Sequence, residues 1–126
     1  MIRKKWLAVV ALFGGSLCAQ NPIVPPGVFA ADPEGHQWKD GRLYLYVSRD
    51  ESPDFYCSWR YDLLSTDDLK NWTIHRDAFA SKGPNDEVPY SDGELYASDA
   101  AYKDGKYYLY YSMRDAIDEG VAVADA

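Results

Sequence analysis

The sequence predicts an all-β protein made of repeated sheets, and three observations predict it. After Asn21, helix periodicity is nowhere sustained. Short apolar or aromatic runs alternate instead with Pro-, Gly- and Asp-rich punctuation, the pattern of strands and turns. Two of those runs are near-copies. Lys39-Asp40-Gly41-Arg42-Leu43-Tyr44-Leu45-Tyr46-Val47-Ser48 aligns without a gap to Lys103-Asp104-Gly105-Lys106-Tyr107-Tyr108-Leu109-Tyr110-Tyr111-Ser112, a period of 64 residues from Lys39 to Lys103. Such a period in an all-β chain points to propeller blades or another radial array.

The chain has 126 residues and a net charge of −7, enough for one domain or part of a larger one. No Lys/Arg cluster follows the first few residues, which argues against nucleic acid and anionic membranes as partners. A hydrophobic content of 47% and an aromatic content of 15% exclude a disordered chain, because that much apolar surface seeks burial.

Residues 1–20 read as a secretory signal peptide, which predicts a secreted or periplasmic protein. Arg3, Lys4 and Lys5 precede an apolar run from Trp6 to Phe13, then small residues up to Cys18-Ala19. The run is too short for a membrane span. Cleavage after Ala19 takes the charge from −7 to −10. A lipid anchor on Cys18 is the competing reading, opposed by bulky Leu17 just before it. Cys57 is then the one remaining thiol, so no intrachain disulfide is expected. It has no basic neighbour to activate it and reads as a partly buried structural residue.

The strands are expected in residues 21–126. Pro25-Pro26-Gly27 opens the region. Lys39-Asp40-Gly41, Asp92-Gly93 and Lys103-Asp104-Gly105 suit tight hairpin turns, since Gly tolerates positive φ and Asp bonds its own backbone. Leu43 to Val47 and Tyr107 to Tyr111 lack in/out alternation and read as strands covered on both faces. Upstream of each turn stands an aspartate among small residues, Asp32 in Ala31-Asp32-Pro33 and Asp99 in Ser98-Asp99-Ala100. These are expected to occupy one station on successive blades. Leu64-Ser65-Thr66-Asp67 has a weaker echo in Val121 to Asp125.

The ordered set of motifs resembles glycoside hydrolase family 43. It comprises Asn21-Pro22-Ile23, Ala31-Asp32-Pro33, Trp38 to Tyr46, Ser65-Thr66-Asp67-Asp68-Leu69-Lys70-Asn71-Trp72, and Leu95 to Tyr110. The resemblance implies a five-bladed β-propeller with about the first two blades in this chain. It implies hydrolysis, with inversion, of O-glycosidic bonds in arabinan, arabinoxylan or xylan. By motif, Asp32 is the general base and Asp99 the carboxylate that tunes the pKa and orientation of the general acid. The resemblance departs at Ser98, where the family usually has Pro. Inversion requires one carboxylate to deprotonate water while an acid protonates the leaving oxygen. One group must be ionised and the other protonated at one pH, so neighbouring charges must separate their pKa values.

The acid itself, a third-blade Glu in the family, has no candidate, and the chain reads as an N-terminal part truncated in the second blade. A non-catalytic carbohydrate-binding module or an inactive gene fragment are the alternatives. Glu34 and His36 follow Asp32 closely and are weaker candidates for the same mouth, with exposed loop positions the plainer expectation. The Tyr-rich strands offer stacking platforms for sugars, although core packing is their default. Asn71-Trp72-Thr73 fits a glycosylation acceptor but falls inside the blade motif. No cofactor or metal is expected; Asn85-Asp86-Glu87 lacks calcium-loop spacing.

Overall fold

The computed structural model describes residues 23–114 and 119–125, so the expected signal peptide, residues 1–20, lies outside the described residues. Seven strands and no helix occupy them, as two antiparallel sheets. β1 (Ala30–Gln37), β2 (Leu43–Arg49), β3 (Arg60–Thr66) and β4 (Thr73–Ala80) form the first, in chain order. β5 (Leu95–Lys103), β6 (Lys106–Met113) and β7 (Glu119–Asp125) form the second in the same manner. This meander is what successive hairpins give, and β5 packs against β1 and β2 of the first sheet. The all-β propeller expectation is met, in two successive sheets.

The repeated Lys-Asp-Gly punctuation builds two different turns. In the second sheet Lys103 pairs with Lys106, leaving Asp104-Gly105 as a two-residue loop with φ of 52° and 81°. Both positions take positive φ, which Asp and Gly tolerate best. In the first sheet the last pair is Gln37 with Leu43, and only Gly41 has positive φ in the longer loop between them. Asp40 closes that loop by accepting the Arg42 N–H at 3.1 Å and the Tyr44 hydroxyl at 2.7 Å. Asp92-Gly93 departs from expectation. It makes no hairpin, because its carbonyls are claimed by other elements: Trp59 Nε1 donates to the Asp92 carbonyl and Ser81 Oγ to that of Gly93.

The Ser65-to-Trp72 motif is the β3–β4 connection. Thr66 Oγ1 accepts the N–H groups of Asp68 and Leu69, and Asp68 Oδ1 accepts those of Lys70 and Asn71. These donors, led by the Asn71 N–H, hold the Asp68 carboxyl well below its usual range. The Asn71 amide donates to Asp68 Oδ2 at 2.7 Å, so its place in the blade turn accounts for it.

The core lies between the two sheets. Tyr61 and Phe79 of the first sheet meet Leu95, Tyr111 and Met113 of the second, with Val88 from the connection. The Phe79 and Tyr111 rings lie 4.8 Å apart, and the Tyr111 and Tyr90 hydroxyls bond at 2.6 Å. Packing of sheet on sheet explains the unalternated apolar runs, but only one side of β6 is covered. Tyr111 is buried, while Tyr110 is 45% exposed beside Val121 on β7. The expectation of two covered faces therefore holds poorly for β6 among the described residues. Cys57 is buried, and burial pushes its thiol up, as suits a structural residue.

Candidate active site

Asp32 owes its position to the Pro that follows it. Ala31 pairs with Ser48 and Glu34 with Tyr46, so Asp32 and Pro33 together face Val47 alone. Pro33 has no N–H to give the ladder and is tolerated at such a bulge. Asp32 takes φ 46°, a left-handed conformation that Asp adopts more readily than most residues. A bulge re-aims a side chain, and here the carboxylate stands exposed at the end of β1. Its charge is felt within the first sheet. Burial pushes the Tyr61 phenol up, and the negative charge of Asp32 pushes it further in the same direction. The Tyr61 hydroxyl in turn donates to the Ala97 carbonyl of β5 at 3.3 Å.

β5 has a bulge of its own, and Asp99 is outside it. Leu95 pairs with Met113 and Ser98 with Tyr111, so the bulged residues are Tyr96 and Ala97. Asp99 pairs with Tyr110 in the regular ladder. The expected equivalence of Asp32 and Asp99 is thus corrected: Asp32 and Pro33 face Val47, whose counterpart Tyr111 pairs with Ser98, so Asp99 stands one step along the ladder from the station of Asp32, at that of Glu34. The ungapped match of the two hairpins does not extend upstream of the turn, because the loop after Gln37 is longer than the one after Lys103, and matching by small neighbours slips along the strand.

What the fold gives Asp99 is a partner. Ser98 and Ala100 are buried, and Asp99 between them turns outward. Its Oδ1 accepts the Ala100 N–H at 2.6 Å and lies 3.1 Å from His36 Nε2. His36 is held by stacking on Trp38, with ring centroids 4.8 Å apart, and by an edge contact with Tyr46. Glu34 Oε1 approaches the same Nε2 at 3.5 Å. Glu34 and His36 are therefore half-buried strand residues facing β5, not exposed loop positions. One imidazole and two carboxylates whose donor atoms lie within 4.8 Å of one another are, by type, able to hold a metal ion. As described, His36 Nε2 is instead engaged by the carboxylates.

The sequence left Tyr61 unremarked, along with the loop that carries Asp50 to Tyr56. Neither has a local signal: Tyr61 reads as an ordinary core residue, and the loop gains meaning only from what it packs beside. In that region Tyr56 stacks on Tyr96 at 6.4 Å, next to the β5 bulge.

Comparison with known proteins gives a consistent result. The family described as Glycosyl hydrolases family 43 matches residues 19–126. A xylosidase/arabinosidase of Bacteroides ovatus is 33% identical over 79% of this chain and 33% of its own length. A xylosidase/arabinosidase of Humicola insolens is 36% identical over 78% of this chain and 33% of its own length. Among solved structures, a family 43 β-xylosidase/α-arabinofuranosidase from a compost microbial metagenome, in complex with xylotriose and calcium-free, superposes with a TM-score of 0.66. It is 36% identical, across 83% of this chain and 34% of that one. A family 43 enzyme from Xanthomonas citri superposes with a TM-score of 0.69 at 29% identity, across 83% of this chain and 31% of that one. The chain thus spans about a third of the length of the curated relatives it matches.

Proposed function

This chain belongs to glycosyl hydrolases family 43, and from that premise we propose that the protein carrying it hydrolyses O-glycosidic bonds of xylose- and arabinose-containing oligosaccharides with inversion. Asp32 is the general base. Water approaches its exposed carboxylate at the bulge, loses a proton to it, and attacks the anomeric carbon as an acid protonates the leaving oxygen. The observation that supports this assignment is the bulge, which leaves an exposed carboxylate on β1, the strand that packs against β5.

Asp99 is the second carboxylate of the proposal, with the role of raising the pKa of the acid by its negative charge. Its support is narrower. It stands on the adjoining strand with a side chain 65% exposed, but it is tied to His36 and does not occupy the station of Asp32. The substrate class is supported by the xylosidase/arabinosidase relatives and by the xylotriose complex. Export, with cleavage near Gln20, completes the proposal and rests on the composition of residues 1–20.

The test is hydrolysis of aryl β-xylosides and aryl α-L-arabinofuranosides, with the anomer of the first product read by NMR. Inverted product, lost by ~10²-fold or more in Asp32→Asn, is the expected result. Retained configuration, or turnover indifferent to Asp32, overturns the mechanism. Xylotriose binding without any turnover favours a carbohydrate-binding module.

A further inference from the structure

In the role proposed above, Asp99 touches neither the attacking water nor the leaving oxygen. It works through its charge, whose effect on a neighbouring acid falls off with separation. Its orientation therefore matters, yet the side chain is 65% exposed and needs something to hold it.

Two donors do so. The Ala100 N–H reaches Oδ1 at 2.6 Å, a bond within its own strand. The other donor comes from the adjoining sheet, where His36 Nε2 lies 3.1 Å from the same oxygen. An ionised carboxylate only accepts, so the hydrogen of this bond sits on Nε2. Both bonds end on Oδ1, which leaves Oδ2 to act on a neighbouring acid.

His36 is built as a fixed donor. Its side chain is 25% exposed, well below that of the aspartate it meets. The ring lies 3° from parallel with Trp38, at 4.8 Å between centroids, and meets Tyr46 at 74° and 6.1 Å. Trp38 is anchored in turn: its Nε1 donates to the Tyr46 hydroxyl at 3.2 Å, and its ring meets Tyr107 at 5.3 Å. Rings from the β1–β2 hairpin and from β6 thus brace one imidazole. Glu34 is a poor rival for its hydrogen, since Oε1 stands 3.5 Å from Nε2, beyond an ordinary N–H···O bond. This framework is more than a surface ion pair requires.

We propose that His36 is a positioning residue: it holds the Asp99 carboxylate in the orientation from which that carboxylate acts on the general acid. The inference rests on the glycosidase reading above and adds to it the group that aims its second carboxylate. His36 touches no reacting atom and acts only through Asp99. The role belongs to its donor, and the stacked ring keeps that donor in place.

Two substitutions separate donor from ring. His36→Phe keeps a ring to stack on Trp38 and removes the donor. His36→Gln keeps an N–H at the place of Nε2 and removes the ring. In the full-length protein, kcat and KM for aryl β-xylosides are measured across pH, with thermal melting alongside. His36→Phe is expected to lower kcat about tenfold with little change in KM, the cost of a misplaced group. It should also move the alkaline limb to lower pH, the direction expected of Asp99→Asn. His36→Gln recovers most of the loss in kcat, although it melts below His36→Phe. In an Asp99→Asn background His36→Phe should change kcat by under about twofold, since the group it aims is gone.

A merely structural His36 gives the reverse order, with kcat following melting temperature, and that result overturns the inference. An alkaline limb that stays in place in His36→Phe, or moves to higher pH, also overturns it and leaves the glycosidase reading standing. An alkaline limb indifferent to Asp99→Asn overturns the roles of Asp99 and His36 together while Asp32 stands. Wild type without turnover overturns the whole reading. Should His36→Phe fail to fold, His36→Gln decides: a wild-type alkaline limb supports the inference and a shifted one overturns it.

Discussion

His36 Nε2 lies 3.1 Å from Asp99 Oδ1, a contact that joins β1 of one sheet to β5 of the next. The Asp99 side chain is 65% exposed, so solvent screens the pair and its worth is small. A double-mutant cycle with His36→Ala and Asp99→Asn, followed by urea unfolding, should give a coupling energy of about 1 kcal/mol or less. His36→Ala alone should cost more than the coupling, because it also removes the ring stacked on Trp38. A coupling of several kcal/mol would mean that this contact governs the docking of the two sheets.

The same aspartate tests the electrostatic half of the mechanism. A negative neighbour disfavours ionisation of a carboxylic acid and so raises its pKa. If Asp99 exerts that effect, Asp99→Asn lowers the pKa of the acid and moves the alkaline limb of the kcat profile to lower pH. The acid limb, which reports the base, should stay in place. A profile unchanged in both limbs, with lowered thermal stability, would assign Asp99 to holding His36.

Much of this architecture is legible from turn chemistry and repetition. The two copies of Lys-Asp-Gly followed by aromatic strand announce two sheets, and the blade motif from Ser65 to Trp72 resolves into a hydrogen-bonded turn around Asp68. Less legible is anything that depends on register. Asp32 and Asp99 look alike through their small neighbours, yet one lies in a bulge and the other in the regular ladder, one step from the corresponding station. A bulge adds a residue to one strand without marking the sequence, except where a Pro such as Pro33 cannot join the ladder. The contact of His36 with Asp99 was hidden for a different reason, since it depends on a neighbour brought near by the fold.

Ser98 gives a prediction of the opposite sign to most. It is 8% exposed, and its hydroxyl has no hydrogen-bond partner among the described residues. Burying a polar atom without a partner costs about 1–3 kcal/mol, so removing it should recover part of that. Ser98→Ala is expected to raise stability by about 1 kcal/mol in urea unfolding. Destabilisation of that size would show that the hydroxyl is satisfied, for instance by ordered water.

The last prediction concerns acid. Asp62 on β3 is 1% exposed, and burial by itself would raise its pKa. The Arg49 guanidinium outweighs that penalty: Nε donates to Oδ2 at 3.0 Å and Nη2 to Oδ1, while Arg76 adds a contact at 2.6 Å and the Asp77 N–H another at 3.1 Å. The net result is a carboxyl held below its ordinary value. A depressed folded-state pKa contributes stability that is complete above the unfolded value, about 3.9, and is lost as pH falls through the folded value. Unfolding free energy measured in urea should therefore decline from about pH 4 downward, and Asp62→Asn should flatten that decline. At neutral pH Asp62→Ala should cost about 3–5 kcal/mol, because it leaves Arg49 partly buried with a principal partner gone. Arg49 retains Asp77 at 2.6 Å, which places the expected loss toward the lower end of that range. A loss under about 1 kcal/mol, the scale of an exposed pair, would show that the network is screened by water and does not pin β2, β3 and β4 together.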